Sequence, residues 1–301
     1  MLSQTVQNYI DMRRAGGFQF GCQAGFLHSF ASFAAARDEQ HVHASTAIEW
    51  AGIAAKTPQR ARRLWVVIRF ARFARAEDAK HEVPLPVFGR ETGPRRAPVI
   101  LRQDEIARLM KAASCFGTHP MQGATYGTLI GLLACTGLRI SEALRLHHSD
   151  ITPDGLLIRN TKFRKSRLVA LHDSCREALQ RYRSQWRSTT SPDDPVFASL
   201  RGTPLIREHV DRVFQELVNR AGLPRTPDGP RITPHSLRHT FAVRALQTCP
   251  DGRDRVARHM VALSTYLGHV DAAATYWYLQ ATPDLMRDIS SCCEQFVEVA
   301  S

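Results

Sequence analysis

The sequence predicts a mainly α protein with a small β-hairpin, an α+β fold divided into two domains. Apolar residues recur at helical spacing along most of the chain. Two short apolar runs, 156–158 and 167–171, flank a polar turn, which is typical of a hairpin. The segment 83–98 holds four prolines and two glycines but few apolar anchors, so it is predicted to link domains at 1–82 and 99–301.

Composition favours a polyanionic partner. The 301 residues suffice for two cores, and the net charge of +12 points to nucleic acid. A membrane is disfavoured because no apolar run approaches the ~20 residues of a spanning helix, and the N-terminus does not resemble a signal peptide. The seven cysteines are scattered and include no C-x-x-C pair, which argues against a disulfide framework and against a zinc ribbon. The cysteines are therefore predicted to be small buried apolar residues in a reducing cytoplasm.

The first domain is predicted to contain three helices after a loose lead-in over residues 1–18. The first runs from about 19 to 36, with phenylalanines at helical spacing. The second ends near residue 55, and Thr46 with Glu49 is predicted to form its capping box. The third runs from Pro58 to about residue 79.

This third helix is strongly basic. It carries seven basic residues against two acidic ones, a surplus of five, where 7 − 2 = 5. The basic residues are Arg60, Arg62, Arg63, Arg69, Arg72, Arg75 and Lys80. A basic helix is often only a solvated face, but in a chain with this net charge a surface that follows DNA phosphates is favoured.

The second domain is predicted to be helical around the hairpin. The expected helices cover about 101–116, 126–135, 141–146, 173–187, 207–221, 235–249, 254–267 and 283 onward. Two glycines are expected at turns. Gly137 follows a nearly all-apolar helix, and Gly268 is predicted to be a left-handed C-cap that turns His269 inward.

The stretch 233–242 organises the second domain. Pro234 suits the first position of a helix, with Thr233 as its cap. On that helix His235, Arg238 and His239 share a face, where the N-terminus favours an anion such as phosphate. By itself the pattern also fits a solvated face. A zinc site is disfavoured because the metalloprotease pattern needs Glu where Ser236 stands.

Two further boxes strengthen this interpretation. Arg139 lies between Leu138 and Ile140, a setting that demands an anionic partner: either a phosphate or a structural ion pair with Glu142 or Asp150. Leu267-Gly268-His269 precedes Thr275-Tyr276-Trp277-Tyr278. With His235-x-x-Arg238, these boxes resemble those of the tyrosine recombinases, the lambda-integrase-like family. The resemblance extends from about Arg96 to the C-terminus.

The resemblance implies a set of catalytic residues. They are Arg139, Lys162, His235, Arg238, His269 and Tyr278. The lysine belongs to a hairpin turn whose common pattern is Gly-Lys-Gly-x-Lys, but Thr161 and Phe163 replace the glycines, which leaves Lys165 as the alternative. Family spacing selects Tyr278 over Tyr276, and Tyr276 and Trp277 are expected to be packing residues.

The resemblance also implies a function. It is that of a site-specific recombinase or integrase of a mobile element, which cuts and rejoins DNA through a 3′-phosphotyrosine without metal, ATP or another cofactor. The expected partners are double-stranded DNA, gripped partly by an N-terminal core-binding domain, and further copies of the chain in a tetramer. A membrane and a small-molecule substrate are not expected, and the expected location is the cytoplasm.

Two alternatives remain open. A type IB topoisomerase would use a similar catalytic set, although the short N-terminal helical domain favours a recombinase. A non-catalytic DNA-binding protein would explain the basic helix but not the spacing of Tyr278. The sequence also does not decide whether the C-terminal helix docks on its own domain or on a neighbour.

Overall fold

The computed structural model describes residues 2–90, 97–159, 166–186, 191–224, 229–248, 253–269 and 273–280. The chain divides into two compact units, Met1–Arg95 and Arg96–Ser301. Each unit has its own apolar core. Within the described ranges, no helix is both long and apolar enough to span a bilayer. The predicted fold class is confirmed, since helices predominate and the sheet is small.

The described part of the first unit is built from four helices. They are α1 (Leu2–Ala15), α2 (Gly21–Ala35), α3 (Ala44–Gly52) and α4 (Thr57–Glu77). Helix α4 packs against each of the other three. Its apolar side contributes Leu64, Ile68 and Phe70 to a core that also contains Leu27 and Phe30. The core therefore forms around α4.

The prediction of a loose lead-in over residues 1–18 is wrong, because α1 occupies most of it. Leu2, Val6, Tyr9 and Ile10 are buried along one side of that helix, at spacings of one helical turn. Tyr9 lies edge-on to Phe20, with ring centroids 5.7 Å apart. Apolar residues on one helical face thus outweigh the polar composition of the segment.

The predicted capping box of α3 is also wrong. The helix begins at Ala44, so Thr46 lies within its first turn rather than before it. Its hydroxyl donates to Glu39 at 2.7 Å, and Glu49 accepts from Arg37 at 2.7 Å. Both side chains therefore bond outside the pattern that their spacing predicted.

The first part of the predicted linker packs onto the first unit. Val83 and Phe88 contact its core, and the indole of Trp65 donates to the Gly89 carbonyl at 3.1 Å. Residues 91–96 lie outside the described part of the chain.

The exposed side of α4 is basic. Arg62, Arg69, Arg72 and Arg75 are exposed, whereas the opposite side of the helix is buried in the core. We call these four arginines the α4 basic face.

The second unit contains the remaining elements. Its helices are α5 (Gln103–Ser114), α6 (Pro120–Thr136), α7 (Ile140–Ala143), α8 (Asp173–Trp186), α9 (Arg207–Arg220), α10 (Pro234–Gln247), α11 (Arg253–Leu267) and α12 (Ala273–Gln280). Helix α6 packs against α5, α8 and α10, which places it at the centre of the larger core. The sequence did not predict α12, and the helix predicted from Pro283 lies outside the described residues.

Among the described residues, the sheet has three antiparallel strands in chain order. They are β1 (Ile151–Thr152), β2 (Gly155–Ile158) and β3 (Arg167–Val169). Leu156 pairs with Val169 and Leu157 with Leu168. The predicted hairpin is present, extended by the short strand β1 across the turn at Pro153-Asp154.

The described cysteines differ from the prediction. Cys175 is buried, but Cys22, Cys115 and Cys135 are exposed. All four are free thiols, and Cys135 lies with its sulfur 3.1 Å from that of Cys175. The prediction of buried small residues therefore holds for only one of these four.

Candidate active site

The site forms at the N-terminal end of α10. Thr233 is extended and precedes the helix, and its backbone N–H donates to the Ser236 hydroxyl at 3.1 Å. Pro234 occupies the first turn, as predicted. His235, the next residue, is exposed to solvent, whereas Arg238, about one turn further along the helix, is only 1% exposed. The helix therefore presents an imidazole at the surface above a buried guanidinium.

Arg238 joins three helices. Its Nη1 donates to the Gly137 carbonyl at 2.7 Å and its Nη2 to the Leu267 carbonyl at 2.8 Å, at the ends of α6 and α11. These bonds use two of the five guanidinium N–H donors. Burial, together with the charge of Arg139, lowers the pKa of Arg238 to about 10, so it remains charged at neutral pH.

Gly137 allows this close approach. Its φ is +60°, in the left-handed region, and it caps α6 as predicted. A Cβ at this position would lie 2.6 Å from the ring of Phe241 on α10. Glycine thus lets the end of α6 approach α10, and the chain continues directly into Arg139.

Arg139 is fixed by both its backbone and its side chain. It precedes α7, and its N–H donates to Glu142 at 3.0 Å. Nη1 donates to the same carboxylate at 2.7 Å and Nη2 to the Gly268 carbonyl at 2.9 Å. The side chain stays 31% exposed. The ion pair with Glu142 foreseen from sequence exists, and it orients a guanidinium that a ligand can still reach.

Glu142 and Arg167 support the site; the sequence predicts Glu142 only as a possible ion-pair partner of Arg139, and it does not predict Arg167 there. Arg167 opens β3 and donates to both Glu142 oxygens at 3.1 and 2.9 Å, and to the Tyr266 carbonyl at 2.8 Å. Burial raises the pKa of Glu142, but the bonds from Arg167 and Arg139 outweigh it and lower that pKa to about 2. The sequence shows both charges, but only folding brings them together.

We expect Glu142→Gln to destabilise the second unit by about 3 kcal/mol at pH 7, from the fall of the pKa from 4.5 to about 2. Because the folded-state pKa is depressed, this stabilisation is present above pH 4.5 and is lost as the pH falls toward 2. Urea unfolding of both proteins across this range measures it. The control is Glu216→Gln, since Glu216 pairs with Arg220 at an exposed site and should change stability by less than about 1 kcal/mol. Equal stability of Glu142→Gln and wild type at pH 7 would contradict the prediction.

His269 follows the turn at Gly268, whose φ of +67° confirms the predicted left-handed conformation. The half-buried ring bonds through Nδ1 to the Thr275 hydroxyl at 2.7 Å. Thr275 is 1% exposed and lies three residues before Tyr278 on α12. This bond connects the end of α11 to the helix that carries the tyrosine.

Tyr278 is buried among these groups, at 3% exposure. Its hydroxyl lies 3.0 Å from Nδ1 of His239, and its ring stacks near His269 with centroids 6.2 Å apart. Tyr276 is 56% exposed, so its predicted packing role is wrong, whereas Trp277 does pack against its neighbours. The structure therefore places Tyr278, and not Tyr276, beside the histidines.

The three histidines of the site are neutral at neutral pH. Burial and the neighbouring arginines lower the pKa of His235 to about 4 and that of His269 to about 4. Burial and His235 lower the pKa of His239 to about 3. His235 keeps one side open to solvent while Arg238, Arg139 and Arg207 raise the local positive potential. Each ring can therefore accept a proton or a hydrogen bond.

A positive cleft adjoins the site. Its volume is about 530 Å³, and its lining includes Arg139, Arg207, Arg231 and His235, together with Asp211, which pairs with Arg207 at 3.6 Å. Such a concentration of planar donors suits phosphate groups.

Five of the six predicted residues thus come together in space: Arg139, His235, Arg238, His269 and Tyr278. Lys162 and its alternative Lys165 lie outside the described residues. His239, predicted only as part of the anion-binding face of its helix, touches Tyr278 directly. Its position one turn after His235 was the available signal.

Similarity to known proteins agrees with this geometry. The model of the phage integrase family matches residues 100–284, more than half of the chain. The chain belongs to the phage integrase family. This confirms the family predicted from the boxes around Arg139, His235 and Tyr278.

Relatives within the family have similar lengths. A Sinorhizobium fredii protein, y4rB, whose name describes an integrase/recombinase, is 37% identical over 95% of this chain and 94% of its own. The tyrosine recombinase XerD of Caulobacter vibrioides is 33% identical over 72% of this chain and 69% of its own. The fold also matches lambda integrase, solved as a tetramer on a Holliday junction, with a TM-score of 0.63 and 18% identity over 90% of this chain and 78% of that one.

Proposed function

We propose that this phage integrase family chain cuts and rejoins duplex DNA at specific sites, with Tyr278 as the nucleophile. The supporting observation is the burial of Tyr278 against His239 and His269, beside Arg238 and Arg139. Tyr278 attacks a backbone phosphorus, the P–O5′ bond breaks, and a 3′-phosphotyrosine and a 5′-hydroxyl form. A second 5′-hydroxyl then attacks the phosphotyrosine and releases the tyrosine. The enzyme link conserves the energy of the diester, so the proposed reaction requires no ATP.

The charged groups have separate roles in this proposal. Arg139 and Arg238 bind the non-bridging oxygens, where charge accumulates in the transition state, and so supply the stabilisation that metal ions provide in other phosphoryl transfers. His235, neutral at neutral pH, accepts the tyrosine proton. His269 donates to the phosphate from the nitrogen opposite Nδ1, which Thr275 holds. Lys162 protonates the leaving 5′-oxygen.

Double-stranded DNA is the proposed partner of both domains. The α4 basic face supplies exposed charge in the N-terminal region, 1–82, which we propose to be the core-binding domain. The cleft lined by Arg207 and Arg231 supplies positive charge in the proposed catalytic domain, 99–301. We further propose that four copies assemble on DNA, with support from the lambda integrase tetramer on its junction.

Replacing Arg72 and Arg75 by glutamine should weaken duplex affinity and reduce the slope of log K against log salt by about two, because each phosphate contact contributes about one. Fluorescence anisotropy across a salt series measures this slope. The control removes two charges that already pair with carboxylates, Arg37→Gln and Arg220→Gln. If the control changes the slope as much as the Arg72 and Arg75 variant, the α4 basic face does not follow the phosphates.

Trapping the covalent intermediate tests the proposed activity. The substrate is a nicked duplex that carries the DNA ends of the expected mobile element. It loses a short 5′-hydroxyl fragment after cleavage, so resealing fails and the covalent intermediate accumulates. We expect an SDS-resistant adduct from the wild type. Tight binding without an adduct would instead indicate a non-catalytic DNA-binding protein. Relaxation of plasmid without strand exchange would indicate a type IB topoisomerase.

A further inference from the structure

His239 contacts both the proposed nucleophile and the proposed base. Its Nδ1 lies 3.0 Å from the Tyr278 hydroxyl, within hydrogen-bonding distance. Its ring lies edge-on to His235 with centroids 4.4 Å apart, and 5.3 Å from the ring of Trp277. The imidazole is therefore held from two sides while it faces the tyrosine.

The position of His239 on α10 links the Tyr278 hydroxyl to Arg238 and His235. It follows Arg238 directly and lies one turn after His235, so one rigid helix carries all three. Helix α12 packs on α10, and Tyr278 is buried in their shared apolar cluster with Val243 and Leu246. The hydrogen bond thus sets the hydroxyl against the same helix that carries the phosphate-binding arginine.

The direction of the bond follows from the charges around the ring. His235, Arg238 and His269 are the charged or titratable groups that act on His239, and with burial they disfavour its protonation. A neutral ring in its Nε2–H form presents a lone pair at Nδ1, which accepts the O–H of Tyr278. When the Tyr278 O–H points toward His239, the lone pairs of the phenolic oxygen point away from the imidazole. Attack on a phosphorus requires lone pairs that are free in this way.

We propose that His239 is a positioning residue: it accepts a hydrogen bond from Tyr278 and so orients the hydroxyl for attack. The inference rests on the proposed role of Tyr278 as the nucleophile. We assign only orientation to His239, because its half-buried ring lies between His235 and Trp277, whereas His235 is exposed and can pass a proton on to solvent. Proton uptake remains with His235.

Two substitutions separate positioning from proton transfer. His239→Phe keeps a ring against His235 and Trp277 but removes the acceptor. His239→Asn places an amide oxygen close to the position of Nδ1 and restores an acceptor that does not titrate. In single-turnover cleavage of the nicked duplex, we expect His239→Phe to be slower by about tenfold or more, and His239→Asn to recover to within about threefold of wild type. Both variants should bind duplex and melt like the wild type, and the pH–rate profile of His239→Asn should keep the acidic limb of the wild type.

Two kinetic outcomes would overturn the inference. Cleavage by His239→Phe at the wild-type rate would mean that the hydrogen bond has no role in orientation. Equally slow cleavage by both variants, with the acidic limb of the profile lost, would make His239 the proton acceptor instead of a positioning residue.

A measurement without DNA keeps this inference distinct from the proposed activity. In ¹⁵N-histidine NMR spectra, the His239 signals are identified by their loss in His239→Phe. We expect a neutral Nε2–H ring at pH 7 whose Nδ1 resonance shifts in Tyr278→Phe but not in Tyr276→Phe. A ring protonated on Nδ1, or no shift in Tyr278→Phe, would overturn the inference even if the wild type cleaves DNA. A wild type that shows the expected shift but forms no adduct would count against the proposed function instead.

Discussion

Arg139→Ala should reduce the rate of DNA cleavage by about 10³-fold while duplex affinity stays within about threefold of wild type. The guanidinium is 31% exposed and lines the positive cleft, where it can meet the oxygens of the reacting phosphate. The fold should tolerate the change, because Arg167 and the backbone N–H of residue 139 still bond to Glu142. Single-turnover cleavage and fluorescence anisotropy on the same duplex measure the two quantities.

The matched control for this prediction is Arg145→Ala. Arg145 follows α7, is exposed, and donates to the Ser141 carbonyl at 2.8 Å, outside the cluster around Glu142. Its substitution removes the same charge and should leave cleavage close to the wild-type rate. If Arg139→Ala cleaves as fast as Arg145→Ala, Arg139 has only a structural role through its ion pair with Glu142.

Arg238→Ala should have a still larger effect, because it removes both the proposed phosphate ligand and a structural connection. We expect cleavage to fall by at least about 10³-fold, and the free energy of unfolding to fall by roughly 2–3 kcal/mol as the Gly137 and Leu267 carbonyls lose their donor. Arg238→Lys keeps the charge but cannot extend a planar fork to both carbonyls, so it should cleave slower than wild type by about 10²-fold. Cleavage rates and urea unfolding curves test both variants.

The control for Arg238 lies on the same helix. Arg244 is exposed, and its Nη2 lies 3.5 Å from the Leu101 carbonyl. Arg244→Ala should therefore change both cleavage and stability much less than Arg238→Ala. A folded Arg238→Lys protein that cleaves at the wild-type rate would show that charge alone suffices at this position.

Much of the second unit follows from local sequence signals. Pro234 after Thr233, the glycines at 137 and 268, and the apolar run before Gly137 each predicted a helix boundary that the structure contains. These signals act over one or two turns, which is why they can be interpreted without knowledge of the fold. The boxes could therefore be placed on α10, at the end of α6 and at the end of α11.

The supporting contacts could not be predicted in the same way. Glu142 and Arg167 are 25 residues apart, and the pairing of β2 with β3 together with the end of α11 brings Arg167 to the carboxylate. His239 and Tyr278 are 39 residues apart and meet only because α12 packs on α10. Interactions of this kind depend on tertiary packing, which helical or strand periodicity does not encode.

Two local errors had a different cause. The polar residues and glycines near the end of α1 favour a loop, whereas Leu2, Val6, Tyr9 and Ile10 share the buried face of a helix. Helix α12 was missed because its aromatic residues were interpreted by their spacing within the box alone. In both helices the buried side chains lie one turn apart, so the pattern was present in the sequence.

The most direct test of the proposed chemistry is to locate the DNA attachment within the trapped adduct. After digestion of the DNA and trypsin cleavage, the peptide 259–287 contains Tyr266, Tyr276 and Tyr278, so fragment-ion mass spectrometry must assign the modified residue. We predict a nucleotide phosphate on Tyr278, and no adduct from Tyr278→Phe while Tyr276→Phe reacts normally. A phosphate on the exposed Tyr276, or an adduct that persists in Tyr278→Phe, would contradict the assignment of the nucleophile.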